Sequence, residues 1–153
     1  MQSSTQTPGL IIRPARADDA AALASLVTHL GYPASEAALR ARMQHIGASE
    51  DYETFVAECD GDVVGFVGVT WKWSYTEDHP RAQLLALVVD PAERGRGTGA
   101  ALVAAAEAWG RRQGAGAIHV TTALHRERTH RFYERLGYDK TGLRYVKKLS
   151  REG

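Results

Sequence analysis

Residues 87–99, Leu-Val-Val-Asp-Pro-Ala-Glu-Arg-Gly-Arg-Gly-Thr-Gly, set an apolar run directly before a glycine-rich turn. The chemistry this suits is the holding of a phosphate. Glycines at 95, 97 and 99 let the backbone approach a ligand with no Cβ atoms in the way. An alanine-rich helix is expected to begin near Thr98, and the first turn of a helix offers unpaired N–H groups at the positive end of its dipole. A P-loop is excluded, because its Gly-x-x-x-x-Gly-Lys-Ser/Thr pattern needs a lysine that this turn lacks. Gly95-x-Gly97-x-x-Ala100 matches the dinucleotide fingerprint only nominally. The next strand ends in Thr121-Thr122, with no acidic residue for a ribose hydroxyl, and no earlier βαβ unit sets up that fold.

The better description is Arg94-x-x-Gly97-x-Gly99 after a strand and a proline, followed by Phe132-Tyr133-Glu134-Arg135-Leu136-Gly137-Tyr138. The first motif resembles the acyl-CoA-binding signature Gln/Arg-x-x-Gly-x-Gly/Ala of the GNAT superfamily of N-acetyltransferases. The second is similar to the Phe/Leu-Tyr-x-x-x-Gly-Phe/Tyr of that family's fourth helix. Their order, with a helix and a strand between them, is far more specific than either alone, and the resemblance covers roughly residues 11–149. It implies an α+β fold: a single-domain, mixed, mostly antiparallel twisted sheet flanked by four helices, in the order β-α-α-β-β-β-α-β-α-β.

The resemblance also implies transfer of an acetyl group from acetyl-CoA to a primary amine by direct attack in a ternary complex. Backbone N–H groups of Arg94, Gly95, Arg96, Gly97, Thr98, Gly99 and Ala100 are then expected to bind the pyrophosphate. Leu87, Val88 and Val89 are expected to pair with the pantetheine arm, with the Leu87 N–H polarising the thioester carbonyl. Tyr133 is expected to protonate the departing thiolate. Where many relatives have an Asn before the fourth helix, this chain has Arg126, expected to touch cofactor phosphates, as are Arg128 and Arg131. A non-catalytic acyl-CoA-binding or regulatory module on the same fold is the alternative from a different functional class.

An alkylamine with a pKa near 10.4 is protonated at pH 7, and neutralising it costs about 4–5 kcal/mol, so the reaction needs a base. The residues leave that base open. Glu77, Asp78 and His79 lie in the loop before the cofactor strand, and His119 and His125 lie on or after the next one. Gln83 stands where some relatives have a Glu. None of the six histidines makes an i, i+4 pair, so no metal is expected.

The bulk properties agree with such an enzyme. The 153 residues are 44% hydrophobic and 24% charged with a net charge of +1, which suits one soluble domain over residues 10–150 after a flexible tail at 1–9. Charge is uneven, acidic before residue 91 and basic beyond it, which favours a polyphosphate donor in the second half. Basic residues are not interleaved with stacking aromatics, so no nucleic acid is expected as a partner. No apolar run reaches the length of a membrane span and no signal peptide is evident, so a cytoplasmic location is expected. The single cysteine, Cys59, is expected to be a buried, inert thiol. The acceptor is a small-molecule amine or a protein amine, and Trp71, Trp73, Tyr75, Tyr32 and Pro33 can wall a pocket for it or form core and dimer contacts.

These residues need elements to position them. Apolar alternation predicts strands over 10–13, 54–59, 63–73, 82–89, 117–122 and 141–149, with a hairpin turn at Gly61-Asp62. Asp18 and Ser35 are expected to cap two helices, one carrying Leu23, Leu26, Val27 and Leu30 on a single face, the other Leu39, Met43 and Ile46. Helices are further predicted over 98–113 and 128–136. The final strand, with Leu143 to Val146 at an edge, is expected to support a homodimer.

Overall fold

In the computed structural model, which describes residues 9–121 and 127–150, the strands lie in sequence order in one sheet. They are β1 (Leu10–Pro14), β2 (Tyr52–Cys59), β3 (Asp62–Lys72), β4 (Arg81–Val89) and β5 (Ala117–Val120). The first four pair antiparallel, and β5 runs parallel to β4. The helices are α1 (Ala20–Leu30), α2 (Glu36–Gly47), α3 (Thr98–Arg112) and α4 (Glu127–Arg135). The described residues fall into two compact units, one up to Val120 and the other from Thr121 onward.

In the first unit the two sheet faces bury different partners. Leu23, Ala24 and Leu26 of α1 and Leu39 of α2 close over Val56, Phe66 and Val88. The other face receives α3, whose Gly110 lies so close to β4 that an added Cβ would sit 3.1 Å from that of Ala82. Leu102 of α3 and Leu23 of α1 are both fully buried, each worth about 2 kcal/mol of apolar transfer. Burial on both faces is why β4 reads as a nearly unbroken apolar run.

Local chemistry sets the element ends. The Ser35 hydroxyl accepts from the Ala38 N–H and starts α2 as expected. At α1 the N-cap is Asp19 rather than Asp18, and its carboxylate makes no bond to the helix. It accepts from the Arg16 N–H at 2.7 Å and from the Arg13 guanidinium through two contacts of 2.9 Å, which hold its pKa below the usual carboxylate value. Arg13 also reaches Glu58 at 3.1 Å, so one half-buried charge cluster ties β1, β2 and the start of α1. The β2–β3 hairpin turns at Asp60-Gly61, one residue earlier than expected. Both have positive φ (51° and 89°), as a two-residue type I′ turn requires. Cys59 is half-buried beside that turn, and its thiol pKa is raised, which leaves it a poor nucleophile.

In the second unit, α4 ends at Gly137, whose φ of 91° lets the Gly137 and Tyr138 N–H groups fold back onto the Glu134 and Tyr133 carbonyls. The strand expected over 141–149 does not form: residues 139–150 carry no strand assignment, and Leu143, Tyr145, Val146 and Leu149 are all exposed. Strand propensity is a fit to a neighbouring edge, and among the described residues no edge pairs with this segment. No helix among the described residues is long and apolar enough to cross a membrane.

Candidate functional site

The decisive geometry lies along β4. Its pairing with β5 runs from Arg81↔Ala117 to Leu84↔Val120 and stops there. On the other side β4 stays paired with β3 up to Val89, but the register skips a residue: Leu84 faces Val69 and Ala86 faces Gly68. Leu85 is therefore an extra, exposed residue, a β-bulge at the point where β4 and β5 part.

Beyond the bulge, strand parity decides which backbone groups are free. The Asp90 N–H donates to the Val64 carbonyl at 2.8 Å, and the opposed pairs continue Val89↔Gly65, Val88↔Phe66, Leu87↔Val67. Hydrogen-bonded and non-bonded pairs alternate in an antiparallel ladder. Val88 and Ala86 therefore turn their polar groups to β3, whereas Leu87 and Val89 turn theirs to the edge that β5 has left. Val88, expected among the ligand contacts, offers that edge nothing polar, and its side chain is buried in the core. Leu87 and Val89 present N–H and C=O groups that need a partner.

The strand leads into the glycine turn. Asp90 caps a single 3-10 turn, Pro91–Glu93, by accepting from the Ala92 N–H at 2.9 Å. Gly95 and Gly97 then take left-handed backbone (φ 81° and 79°), a conformation that favours glycine. Gly97 is the N-cap of α3 and has no side chain to cap with. The first intrahelical bond is from the Ala101 N–H to the Gly97 carbonyl, so Thr98, Gly99 and Ala100 have N–H groups with no partner inside the helix. Thr98 adds a hydroxyl that is buried and without a hydrogen-bond partner among the described residues. An orphaned hydroxyl beside three uncapped N–H groups fits an anion. Arg94 and Arg96 flank the turn, with Arg96 3.8 Å from Glu93.

In the second unit, Tyr133 is 7% exposed and packs edge-on against Phe132 and Tyr138, at centroid distances of 5.1 and 5.4 Å. Burial pushes its phenol up to about 12, so it stays protonated throughout the physiological range. Arg126 and His125 lie outside the described residues. The aromatic run splits: Trp71 and Trp73 meet edge-on at 6.1 Å, while Trp73, Tyr75 and Tyr32 are exposed.

Two features had no clear sequence signal. The Leu85 bulge sits in Leu-Leu-Ala-Leu-Val-Val, where no glycine or proline marks it. The orphaned Thr98 hydroxyl depends on burial that only the packed helix shows.

The pattern of the Acetyltransferase (GNAT) family matches residues 21–138. An uncharacterised N-acetyltransferase of Methanocaldococcus jannaschii is 34% identical over 101 residues, 62% of this chain and 45% of that protein. The aminoalkylphosphonate N-acetyltransferase of Salmonella typhimurium is 33% identical over 90 residues, 59% of this chain and 58% of its own. The type 1 aminoglycoside N(6')-acetyltransferase of Stenotrophomonas maltophilia is 31% identical over 133 residues, 85% of this chain and 86% of its own. The matches thus span about half the length of the first two relatives and most of the third. A crystal structure of a GNAT family acetyltransferase from Staphylococcus aureus shares the fold, with a TM-score of 0.79 and 24% identity over 92% of this chain and 99% of the other. With its family pattern running through β4, the glycine turn and α4, the chain belongs to the GNAT acetyltransferase family.

Proposed function

We propose that the protein is an N-acetyltransferase that moves the acetyl group of acetyl-CoA to a primary amine by direct attack. The observation that carries this reading is the open β4 edge running straight into the uncapped start of α3. The edge suits an amide-bearing arm, and the helix start suits the pyrophosphate at the end of that arm. The Thr98, Gly99 and Ala100 N–H groups hold the phosphates, with Arg94 and Arg96 adding mainly charge. The Leu87 N–H donates to the thioester oxygen as negative charge develops there, and Val89 pairs with the arm.

Tyr133, carried over from the family pattern, serves the leaving sulfur. With its phenol near 12 and an aliphatic thiol near 8.5, complete proton transfer is uphill by about 5 kcal/mol. Tyr133 therefore donates a hydrogen bond as the C–S bond lengthens, and its proton moves only as the newly acylated nitrogen releases one in return.

The relatives' printed names, an aminoglycoside and an aminoalkylphosphonate acetyltransferase, support a small-molecule amine and show that family membership does not fix which one. The exposed Leu143, Tyr145, Val146 and Leu149 support a homodimer that covers them. The test is a panel of amines, from aminoglycosides and polyamines to amino acids and aminoalkylphosphonates, followed by release of free thiol from acetyl-CoA. Turnover with at least one amine is expected. Tight acetyl-CoA binding with no turnover on any amine would instead favour a non-catalytic binding module.

A further inference from the structure

The strand register builds a row that the sequence does not show. Thr70 of β3, Gln83 of β4 and His119 of β5 lie directly opposite one another, so their side chains share one face of the sheet. Because α3 covers the Ala82 face, this row is on the other side. Thr70 is buried, and its hydroxyl donates to the Asp51 carbonyl at 2.7 Å. Gln83 is half-buried and His119 exposed. The row stands one pair before the last β4–β5 pair, at the closed end of the edge along which Leu87 and Val89 present their backbone groups.

Of the groups in this row only His119 can take a proton near neutral pH. The Thr70 hydroxyl is already bonded, and the Gln83 amide has no useful basicity. Among the described residues the His119 ring has no hydrogen-bond partner, whereas His79 and Glu77 are engaged. The His79 ring lies 3.2 Å from the Pro80 carbonyl and 3.8 Å from Glu77, and it packs against Gly116. Glu77 also contacts Arg81 at 3.5 Å.

We infer that His119 is the base that accepts the proton of the acceptor ammonium, with Gln83 beside it on the same face to orient the amine. The inference rests on the acetyl-transfer reading above. The bound ammonium gives one proton to the His119 imidazole and becomes a neutral amine. The amine nitrogen bonds to the acetyl carbon, the C–S bond breaks, and the second proton lost by nitrogen ends on the departing thiol. The imidazolium then returns its proton to water.

The charges around the ring agree with this role. Partial desolvation, then the positive charges of Arg81 on β4 and Lys72 on β3, hold the His119 pKa below the ordinary 6.5. The carboxylate of Glu77 is the negative charge beside Arg81. These influences favour the neutral ring, the form that accepts a proton.

The test is His119→Gln, with an amine identified by the panel. kcat/KM is expected to fall about 10²-fold, the low end for a positioned base. The acidic limb of its pH profile is expected to vanish, and calorimetric affinity for acetyl-CoA to stay unchanged. An NMR titration of the wild-type His119 ring, which needs no turnover, should give a midpoint below 6.5 that coincides with that limb. A folded His119→Gln enzyme that keeps both wild-type kcat/KM and the acidic limb overturns the assignment and leaves acetyl transfer standing. A wild type that acetylates no amine overturns both.

Discussion

Along β4, the stretch Leu87–Val89 and the stretch Arg81–Leu84 differ in what they offer a substrate. The later stretch has lost β5 and presents backbone N–H and C=O groups, continued by the bare helix start at Thr98–Ala100. The earlier stretch is paired on both sides, so its backbone is spent and only side chains remain: Gln83 and Arg81, with His119 and Lys72 alongside. Machinery built from backbone depends on glycines and on where a strand loses its neighbour, and it tolerates many side chains. Machinery built from side chains can be reassigned residue by residue. On the reading proposed above, the backbone stretch serves the acyl donor and the side-chain stretch serves the amine.

The largest effect is expected at Tyr133, proposed above to serve the leaving sulfur. Tyr133→Phe keeps the ring and its edge-on contacts with Phe132 and Tyr138 but removes the proton. kcat is expected to drop roughly 10²-fold with acetyl-CoA affinity little changed. The loss should shrink for a thioester whose thiol is more acidic, because that leaving group needs less help. Steady-state kinetics with two thioesters check this. Full activity of the Phe variant would make Tyr133 a packing residue.

A smaller effect is expected at the turn itself. Gly97 holds a φ of 79°, so Gly97→Val combines a left-handed β-branched residue, costing about 1–2 kcal/mol, with a side chain at the helix start proposed to hold the pyrophosphate. Affinity for CoA should weaken at least tenfold in calorimetry on protein shown to be folded by circular dichroism. An unchanged affinity in the folded variant would mean that the phosphate is held elsewhere.

The same contrast explains what could be read in advance. Glycines at 95, 97 and 99, the apolar run of β4 and the Phe132–Tyr138 motif are local signals, so the family and most of the elements were legible. The hairpin shifted by one residue because Asp60 also adopts positive φ, which Asp tolerates and sequence does not announce. The strand at 141–149 was misread because alternation reports a side-chain pattern, and an edge to pair with is not part of that pattern. The Gln83–His119 row was illegible for a deeper reason. It joins residues from different strands through an antiparallel and a parallel register, and neither leaves a mark in the chain order.

The smallest predicted effect is also the most specific to the acceptor half. Lys72 is one of the two cations that depress the His119 pKa, and it forms no ion pair among the described residues. Arg81 is the stronger perturber, but replacing it would also release Glu77, its partner at 3.5 Å, and confuse the outcome. Lys72→Met keeps most of the aliphatic stem and removes the charge. The imidazolium is then opposed by one cation instead of two, so the His119 pKa must rise. Only the neutral ring accepts a proton, so kcat/KM climbs as pH rises through that pKa and then levels off. A higher pKa therefore moves the acidic limb of the profile toward alkaline pH. Activity should fall at a pH on the limb and stay unchanged on the plateau, and the NMR midpoint of the His119 ring should move the same way. A limb that stays in place while the ring midpoint moves would show that the activity follows some other group, and would separate the electrostatics of this face from the chemistry assigned to it.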